Sequence, residues 1–267
     1  MDRLSELENQ SIFIIREGYN RFHKVAQLWS IGKDSTTLLW LIRKAFYGQI
    51  PFPVLHLDTG RKFKEIYEFR DKYAKEWKLN LIIHKNQEAI GRGITCNPNN
   101  ALECCGELKT NALKQAIEKH KFRALYLGIR RDEHGIRAKE RVFSPRNENF
   151  HWDYKAQPLE MWDHYKAQAE NEEHLRIHPL LGWTELDIWE YIRRENIPVT
   201  SLYFAVNGKR YRSIGCEPAC VPVDSQADTI DKIIDELKTT TVAERAGRAQ
   251  DKESSYMMQK LRSLGYM

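Results

Sequence analysis

No apolar run in this sequence approaches the roughly 20 residues that a membrane-spanning helix needs. The opening residues, Met1-Asp2-Arg3-Leu4-Ser5-Glu6, lack the basic-then-apolar order of a secretory leader, so a cytoplasmic location with no membrane partner is expected. Cysteine is scarce, with 5 in 267 residues, and in a cytosolic chain these read as reduced thiols, metal ligands or catalytic groups rather than disulfides. A large charge of one sign is also missing. The 42 Lys and Arg against 37 Asp and Glu leave +5, which suits an anionic ligand but is too small to indicate nucleic-acid binding by itself. There is no internal repeat, and the P-loop of most kinases and GTPases (Gly, four residues, Gly-Lys-Ser/Thr) is absent.

What the chain has is enough apolar material, 42% hydrophobic residues, for one large core or a core with a smaller appendage. Apolar, β-rich runs at Val25 to Ser30, Pro53 to Asp58, Leu79 to His84 and Arg123 to Gly128 alternate with helical patterns at Thr36 to Phe46, Phe63 to Trp77 and Glu107 to Lys119. That rhythm predicts an α/β fold, a doubly wound and mostly parallel sheet with helices on both faces. An amphipathic helix over Leu4 to Phe22 precedes it, with Ile12, Ile15 and Tyr19 at helical spacing. After Arg141 the chain turns rich in Asn, Pro, Trp and charge as far as Asn171, which predicts an extended loop or lid. Thr184 reads as the N-cap of a further helix, and a helical tail follows Leu202.

Three motifs fall at strand ends, where ligands of such sheets bind. Ser30-Ile31-Gly32-Lys33-Asp34-Ser35 joins a strand to a helix through a phosphate-sized turn: Gly32 lets the backbone approach an anion, Lys33 adds charge, and Ser30 and Ser35 add hydroxyls beside the unpaired first amides of the helix. Read blandly, the same residues are a turn capped by Ser and Asp. Asp58-Thr59-Gly60 puts a carboxylate fit for Mg²⁺ or a ribose at the next strand end, or forms an ordinary turn. Gly128 precedes Arg130, Arg131, Arg137, Lys139 and Arg141, a cationic run suited to phosphate, sulfate or departing pyrophosphate, or to a solvated face.

Together these motifs resemble the phosphoadenosine phosphosulfate reductase and sulfate adenylyltransferase small-subunit family of PP-loop ATP pyrophosphatases. The likeness runs on through Arg43 to Tyr47, Tyr67 to Asp71, His178-Pro179-Leu180, Trp183-Thr184-Glu185 and Ala243 to Arg248. It implies an adenine nucleotide alpha-hydrolase-like fold, with a PP-loop domain over 1–200 and an extension over 201–267 that carries the Cys216/Cys220 loop and helices. It also implies ATP and Mg²⁺ as ligands and pyrophosphate as product. Pyrophosphate is expected on Lys33, Ser35 and the helix N-terminus, with Asp34 or Asp58 as the Mg²⁺ ligand. Arg130, Arg131 and Arg137 are expected to hold the incoming oxyanion and the transition-state charge, the catalytic set being completed by Lys33 and Asp34. Ser30, Gly32, Thr59, Gly60 and Gly128 complete the nucleotide site.

The cysteines depart from a typical sulfate adenylyltransferase small subunit. Cys104-Cys105 and Cys216-Glu217-Pro218-Ala219-Cys220 resemble the cluster ligands of iron-sulfur adenylylsulfate reductases, although there the second pair is separated by two residues rather than three. The resemblance implies a [4Fe-4S] cluster, with Zn²⁺ or unmetallated thiols as alternatives. Cys96 has no evident partner and reads as packing or a redox-exposed thiol. Those reductases use a C-terminal catalytic cysteine, and none follows Cys220, which argues against reduction. The remaining expectation is a pyrophosphatase of a DNA phosphorothioation system, working with a cysteine desulfurase and DNA-handling proteins. The alternative is a sulfate adenylyltransferase subunit with a GTPase large subunit. A homodimer is compatible with either.

Overall fold

The computed structural model describes residues 2–155, 157–160, 165, 174–248 and 257–265. A first helix, α1 (Arg3–Phe22), is capped by Asp2, whose Oδ1 accepts the Ser5 amide, and closes with Arg21 in its last turn. It is followed by β1 (Val25–Leu28), α2 (Lys33–Ala45), β2 (Val54–Leu57), α3 (Lys64–Glu76), β3 (Leu81–His84), α4 (Gln87–Gly91), α5 (Ala101–Cys105), α6 (Ala112–His120) and β4 (Ala124–Tyr126). A widened π turn over Gly106–Asn111 fuses α5 to α6, so the helix predicted over Glu107 to Lys119 is one part of a longer helical run.

The sheet order is β3-β2-β1-β4-β6-β5, with β5 (Phe143–Arg146) and β6 (His174–Ile177) completing it. All pairs are parallel except β5 on β6. The doubly wound prediction therefore holds, while part of the expected lid is this edge strand. Pro145 is tolerated in β5 because an edge strand leaves one row of backbone donors unpaired. The rest of the expected lid includes residues 156, 161–164 and 166–171, which lie outside the described residues.

Strands β1, β2, β4 and β6 are buried along their length, as expected when helices cover both faces. Against them pack Ile14 and Ile15 of α1, Leu38, Leu41 and Ile42 of α2, and Leu113 and Ile117 of α6. Each fully buried aliphatic side chain of this kind contributes roughly 1.5–3 kcal/mol. Gly18 sets how closely α1 lies on the sheet, since a Cβ there would stand 2.6 Å from Ile177 Cδ1 and 2.7 Å from Tyr126 Oη.

Helix α7 (Glu185–Glu195) opens with a capping box, Thr184 Oγ1 accepting the Asp187 amide and Asp187 accepting the Thr184 amide. The short pair β7 (Lys209–Arg210) and β8 (Val223–Asp224) precedes α8 (Ile230–Thr239) and α9 (Met257–Ser263). Tyr203, Ala227, Ile233 and Ile234 from this last part share the main core. No helix among the described residues is long and apolar enough to cross a membrane.

Candidate functional site

Strand order reverses between β1 and β4, and a crevice opens beyond their carboxyl ends. It is lined by the Ser30–Ser35 loop, by Thr59, by Gly128 and by residues of the C-terminal segment.

The loop is built for an anion. Ile31 adopts φ +70°, a conformation β-branched residues seldom take, and thereby turns the chain from β1 into α2. The amides of Asp34 and Ser35 occupy first-turn positions with no helical carbonyl behind them. Ser35 Oγ donates to Gly32 O at 3.1 Å and lies 3.1 Å from Ser30 Oγ, while the Lys33 amide donates to Tyr203 Oη at 2.8 Å. Gly128 is required on packing grounds: a Cβ there would sit 2.9 Å from the Asp34 carbonyl and the Ser35 amide. At Gly32 a Cβ would meet nothing closer than 3.5 Å, so packing within the chain does not call for glycine there.

Behind the loop lies a dense ion cluster. Lys33 is 1% exposed and Arg130 is fully enclosed. Lys33 Nζ bonds to Glu244 and lies 3.3 Å from Asp34 Oδ2 and 3.9 Å from Glu185 Oε1. Arg130 donates to Asp34 at 2.7 Å, to Asp132 at 2.8 Å and to Glu244. Arg212 closes the set on Glu185 at 2.7 Å. Burial works against the charge on Lys33, but Asp34, Glu244 and Glu185 outweigh it and hold the ammonium above its usual range. Glu244 is held well below the carboxylate range, because Arg130 and Lys33 overcome its desolvation. Glu185 is pushed up by burial and by Glu244.

The structure sorts the predicted residues. Ser30, Gly32, Lys33, Asp34, Ser35, Thr59, Gly128 and Arg137 line the pocket together. Asp58 does not: its Oδ1 accepts the Gly60 amide and the Tyr67 hydroxyl, both at 2.8 Å, and Lys85 lies 3.0 Å from Oδ2. Asp58 and Gly60 thus form a self-contained turn. Arg131 is exposed outside the pocket, whereas its neighbour Arg130 is enclosed, as successive residues of an extended segment point to opposite sides. Arg130 is committed to three carboxylates and supports the loop from behind, so it does not meet an incoming oxyanion. The wall cations are instead Lys62, Lys109, Arg137, Arg245 and Arg248.

Four cysteines do come together, but not the expected four. Cys96 packs with Cys216 and Cys104 with Cys105, and Cys96 lies near enough to Cys104 and Cys216 for their thiols to push its own ionisation up. Thr59 Oγ1 lies 3.2 Å from Cys216 Sγ, and Lys109 Nζ donates to Cys105 Sγ at 3.5 Å, which places the chain of thiols against the pocket wall. Cys220 is turned away, its sulfur accepting the Gly215 amide at 3.1 Å and Arg248 at 3.4 Å. The extra residue between Cys216 and Cys220 accounts for this, because it forms a 3₁₀ turn that moves the second sulfur off the first one's side. Among the described residues no three His, Cys, Asp or Glu side chains are arranged to hold a metal ion.

Glu244, Tyr203, Glu185, Lys62, Lys109 and Cys96 were not assigned to the site from sequence. The signals available were the matches over Trp183-Thr184-Glu185 and over Ala243 to Arg248, in which a glutamate stands among arginines.

Known proteins place this architecture. The FMN adenylyltransferase of Candida glabrata superposes with a TM-score of 0.59 at 17% identity over 82% of this chain and 64% of that one. A phosphoadenylyl-sulfate reductase of Candida auris gives 0.56 at 17% identity over 83% and 98%. At such identities the likeness is one of fold. Sequence relatives are much nearer: sulfate adenylyltransferase subunit 2 of Saccharophagus degradans is 43% identical, and that of Zymomonas mobilis 41%, each alignment covering 100% of this chain and 98% of the relative. Residues 24–222 match the phosphoadenosine phosphosulfate reductase domain, and the chain belongs to that family.

Proposed function

We propose that this enzyme of adenylyl transfer cleaves ATP between its α and β phosphates and passes AMP to sulfate, acting as the small subunit of a sulfate adenylyltransferase with a GTPase large subunit. The carrying observation is the Lys33 loop at the switch point, where an ammonium and unpaired helix amides converge on one pocket. Full-length relatives of that name at 41–43% identity support the choice of acceptor.

In this reading a sulfate oxygen attacks the α-phosphorus. A new P–O bond forms, the bond to the bridging oxygen breaks, and its electron pair leaves with pyrophosphate. The protein supplies position and charge rather than covalent chemistry. Lys33, Ser35 and the first amides of α2 take the departing pyrophosphate, and the wall cations Arg137 and Arg245 take the acceptor side. Mg²⁺ arrives with the nucleotide and asks only one or two carboxylates, of which Asp34 is on the pocket wall. Sulfate-dependent formation of adenylylsulfate and pyrophosphate by the chain mixed with such a GTPase subunit tests the reading. Pyrophosphate release indifferent to sulfate would reject it.

One observation favours a second reading. The thiol chain Cys105, Cys104, Cys96 and Cys216 along the pocket wall suits a sulfur-insertion enzyme, such as a DNA phosphorothioation pyrophosphatase served by a cysteine desulfurase. Pyrophosphate release that needs DNA or the desulfurase, and is lost in Cys96→Ser as well as Cys216→Ser, would favour it. Iron and zinc analysis of anaerobically purified protein tests the metal expectation separately.

A further inference from the structure

Three hydroxyls stand at the turn from β1 into α2, and their protons can be traced. Ser35 Oγ donates to Gly32 O at 3.1 Å, so in the 3.1 Å contact between the two serines Ser30 is the donor and Ser35 the acceptor. The third hydroxyl comes from the C-terminal part of the chain. Tyr203 Oη accepts the Lys33 amide at 2.8 Å, and a Cβ added to Gly32 would stand 3.5 Å from it. An amide N–H has only a proton to give, so Tyr203 is the acceptor in that bond and its own proton is left over. Among the described residues this is the only hydrogen bond its hydroxyl makes.

The hydroxyl is also fixed in place. Tyr203 is 2% exposed and ends a 3₁₀ turn, Ser201–Tyr203, its amide donating to Thr200 O. Its ring meets Trp189 edge-on with centroids 5.4 Å apart, and the Lys33 ammonium lies 5.9 Å from the ring centre. Burial, the largest cause, raises the phenol above its ordinary range although Lys33 opposes it, so the proton stays on. A buried donor is rarely left idle in a folded chain, and this one borders the pocket.

We infer that Tyr203 is a ligand-binding residue of the phosphate loop, donating its Oη–H to an oxygen of the phosphate chain that the start of α2 receives. The inference rests on the reading of this loop as the ATP phosphate site and extends it to a residue 170 positions away. The ligand class follows from the donors: Lys33, the first amides of α2 and Tyr203 all offer protons, which an oxyanion accepts. Among them Tyr203 is the neutral side chain. Lys33 attracts an anion at a distance, whereas a neutral hydroxyl acts only at contact and so reports whether an oxygen is seated on the loop. A hydroxyl that donates is also a better acceptor, so a seated phosphate strengthens the hold of Tyr203 on the Lys33 amide and on the first turn of α2.

Calorimetric titration of the full chain with Mg²⁺ and inorganic pyrophosphate reads this contact without an acceptor or a partner subunit. Tyr203→Phe should weaken binding about 10-fold or more, since a hydrogen bond to a charged group is lost. Release of the Lys33 amide could weaken binding too, so the parent is also compared with protein carrying 3-fluorotyrosine in place of Tyr203. Fluorine makes the phenol a stronger donor and a weaker acceptor. Pyrophosphate affinity should therefore rise, while the melting temperature of the ligand-free protein stays level or falls. Affinity that falls with the melting temperature, or does not move, overturns the inference, as does a Tyr203→Phe protein that binds as tightly as the parent. The fluorinated protein decides if Tyr203→Phe fails to fold. A parent that binds neither pyrophosphate nor ATP rejects the loop as a phosphate site and the inference with it, whereas a parent that binds both beside unchanged variants rejects the role of Tyr203 alone.

Discussion

Two buried ion clusters in one molecule solve opposite problems. Behind the nucleotide loop, Lys33, Arg130 and Arg212 face Asp34, Asp132, Glu185 and Glu244, so that every cation has a carboxylate before any ligand arrives. At the sheet edge, Arg146 and Arg262 share Glu140 alone among the described residues. The first arrangement keeps cations charged and ordered in a dry site, and a polyanion that enters must compete with Glu244 for Lys33. In the second, one enclosed carboxylate serves two guanidiniums. Buried arginine and lysine thus do not by themselves mark a ligand site, since the carboxylates around them already match much of their charge.

The comparison breaks most visibly at Lys33. Lys33→Ala removes the ammonium aimed at the leaving group, and the rate of pyrophosphate release should fall by roughly 100-fold or more, as when one preorganised charge is lost from an active site. A steady-state pyrophosphate assay with saturating ATP reads this directly.

The next effect is steric. Gly128→Ala forces a Cβ to within 2.9 Å of the Asp34 and Ser35 backbone, so the start of α2 must shift. Denaturant unfolding should show about 1–3 kcal/mol less stability, with slower release. Gly32→Ala, whose new Cβ has ordinary clearance, should leave stability within roughly 0.5 kcal/mol but weaken ATP binding. Equal effects at the two glycines would contradict the geometry.

Glu244→Gln sharpens the electrostatic half. With the internal anion neutralised and the shape kept, Lys33 and Arg130 lose a buried partner, and the ligand-free protein should lose roughly 3 kcal/mol. ATP should then raise the melting temperature by more than it does in the parent, because the nucleotide phosphates no longer displace a carboxylate. A smaller rise would mean that Glu244 assists nucleotide binding instead of competing with it.

The gentlest perturbation is pH. Burial, the largest cause, lowers His56 to about 4 and His178 to about 3 from an ordinary 6.5, so both are neutral when folded. Their contribution is complete above pH 6.5, where neither state binds the proton. It is lost as pH falls toward 4, because the unfolded chain gains protons the folded one refuses. The slope approaches about 1.4 kcal/mol per pH unit for each histidine. Urea melts between pH 7 and 4.5 should show it, and His56→Gln should flatten it by one proton.

Local chemistry was legible in the sequence. Ser30 to Ser35 are contiguous and follow a strand, so their meeting at one turn needed no tertiary information, and the alternation of strands and helices gave the parallel sheet. Edge strand β5 was missed because Val142 and Phe143 lead straight into Ser144-Pro145, which reads as a loop until pairing with β6 supplies the context. Glu244 and Tyr203 reach the loop across 211 and 170 residues of sequence, and no spacing rule connects such positions. The thiol chain failed in one place for a related reason: which sulfur of Cys216 and Cys220 faces Cys96 depends on the turn between them.

The pairing of Lys33 with Glu244 also bears on synthesis. Translation delivers the cationic loop early and its counter-ion late, after the sheet strands and α7 have emerged. A nascent chain halted before residue 244 carries the Lys33 and Arg130 cations without their shared partner. The loop therefore gains its full set of counter-ions only after residue 244 has been made.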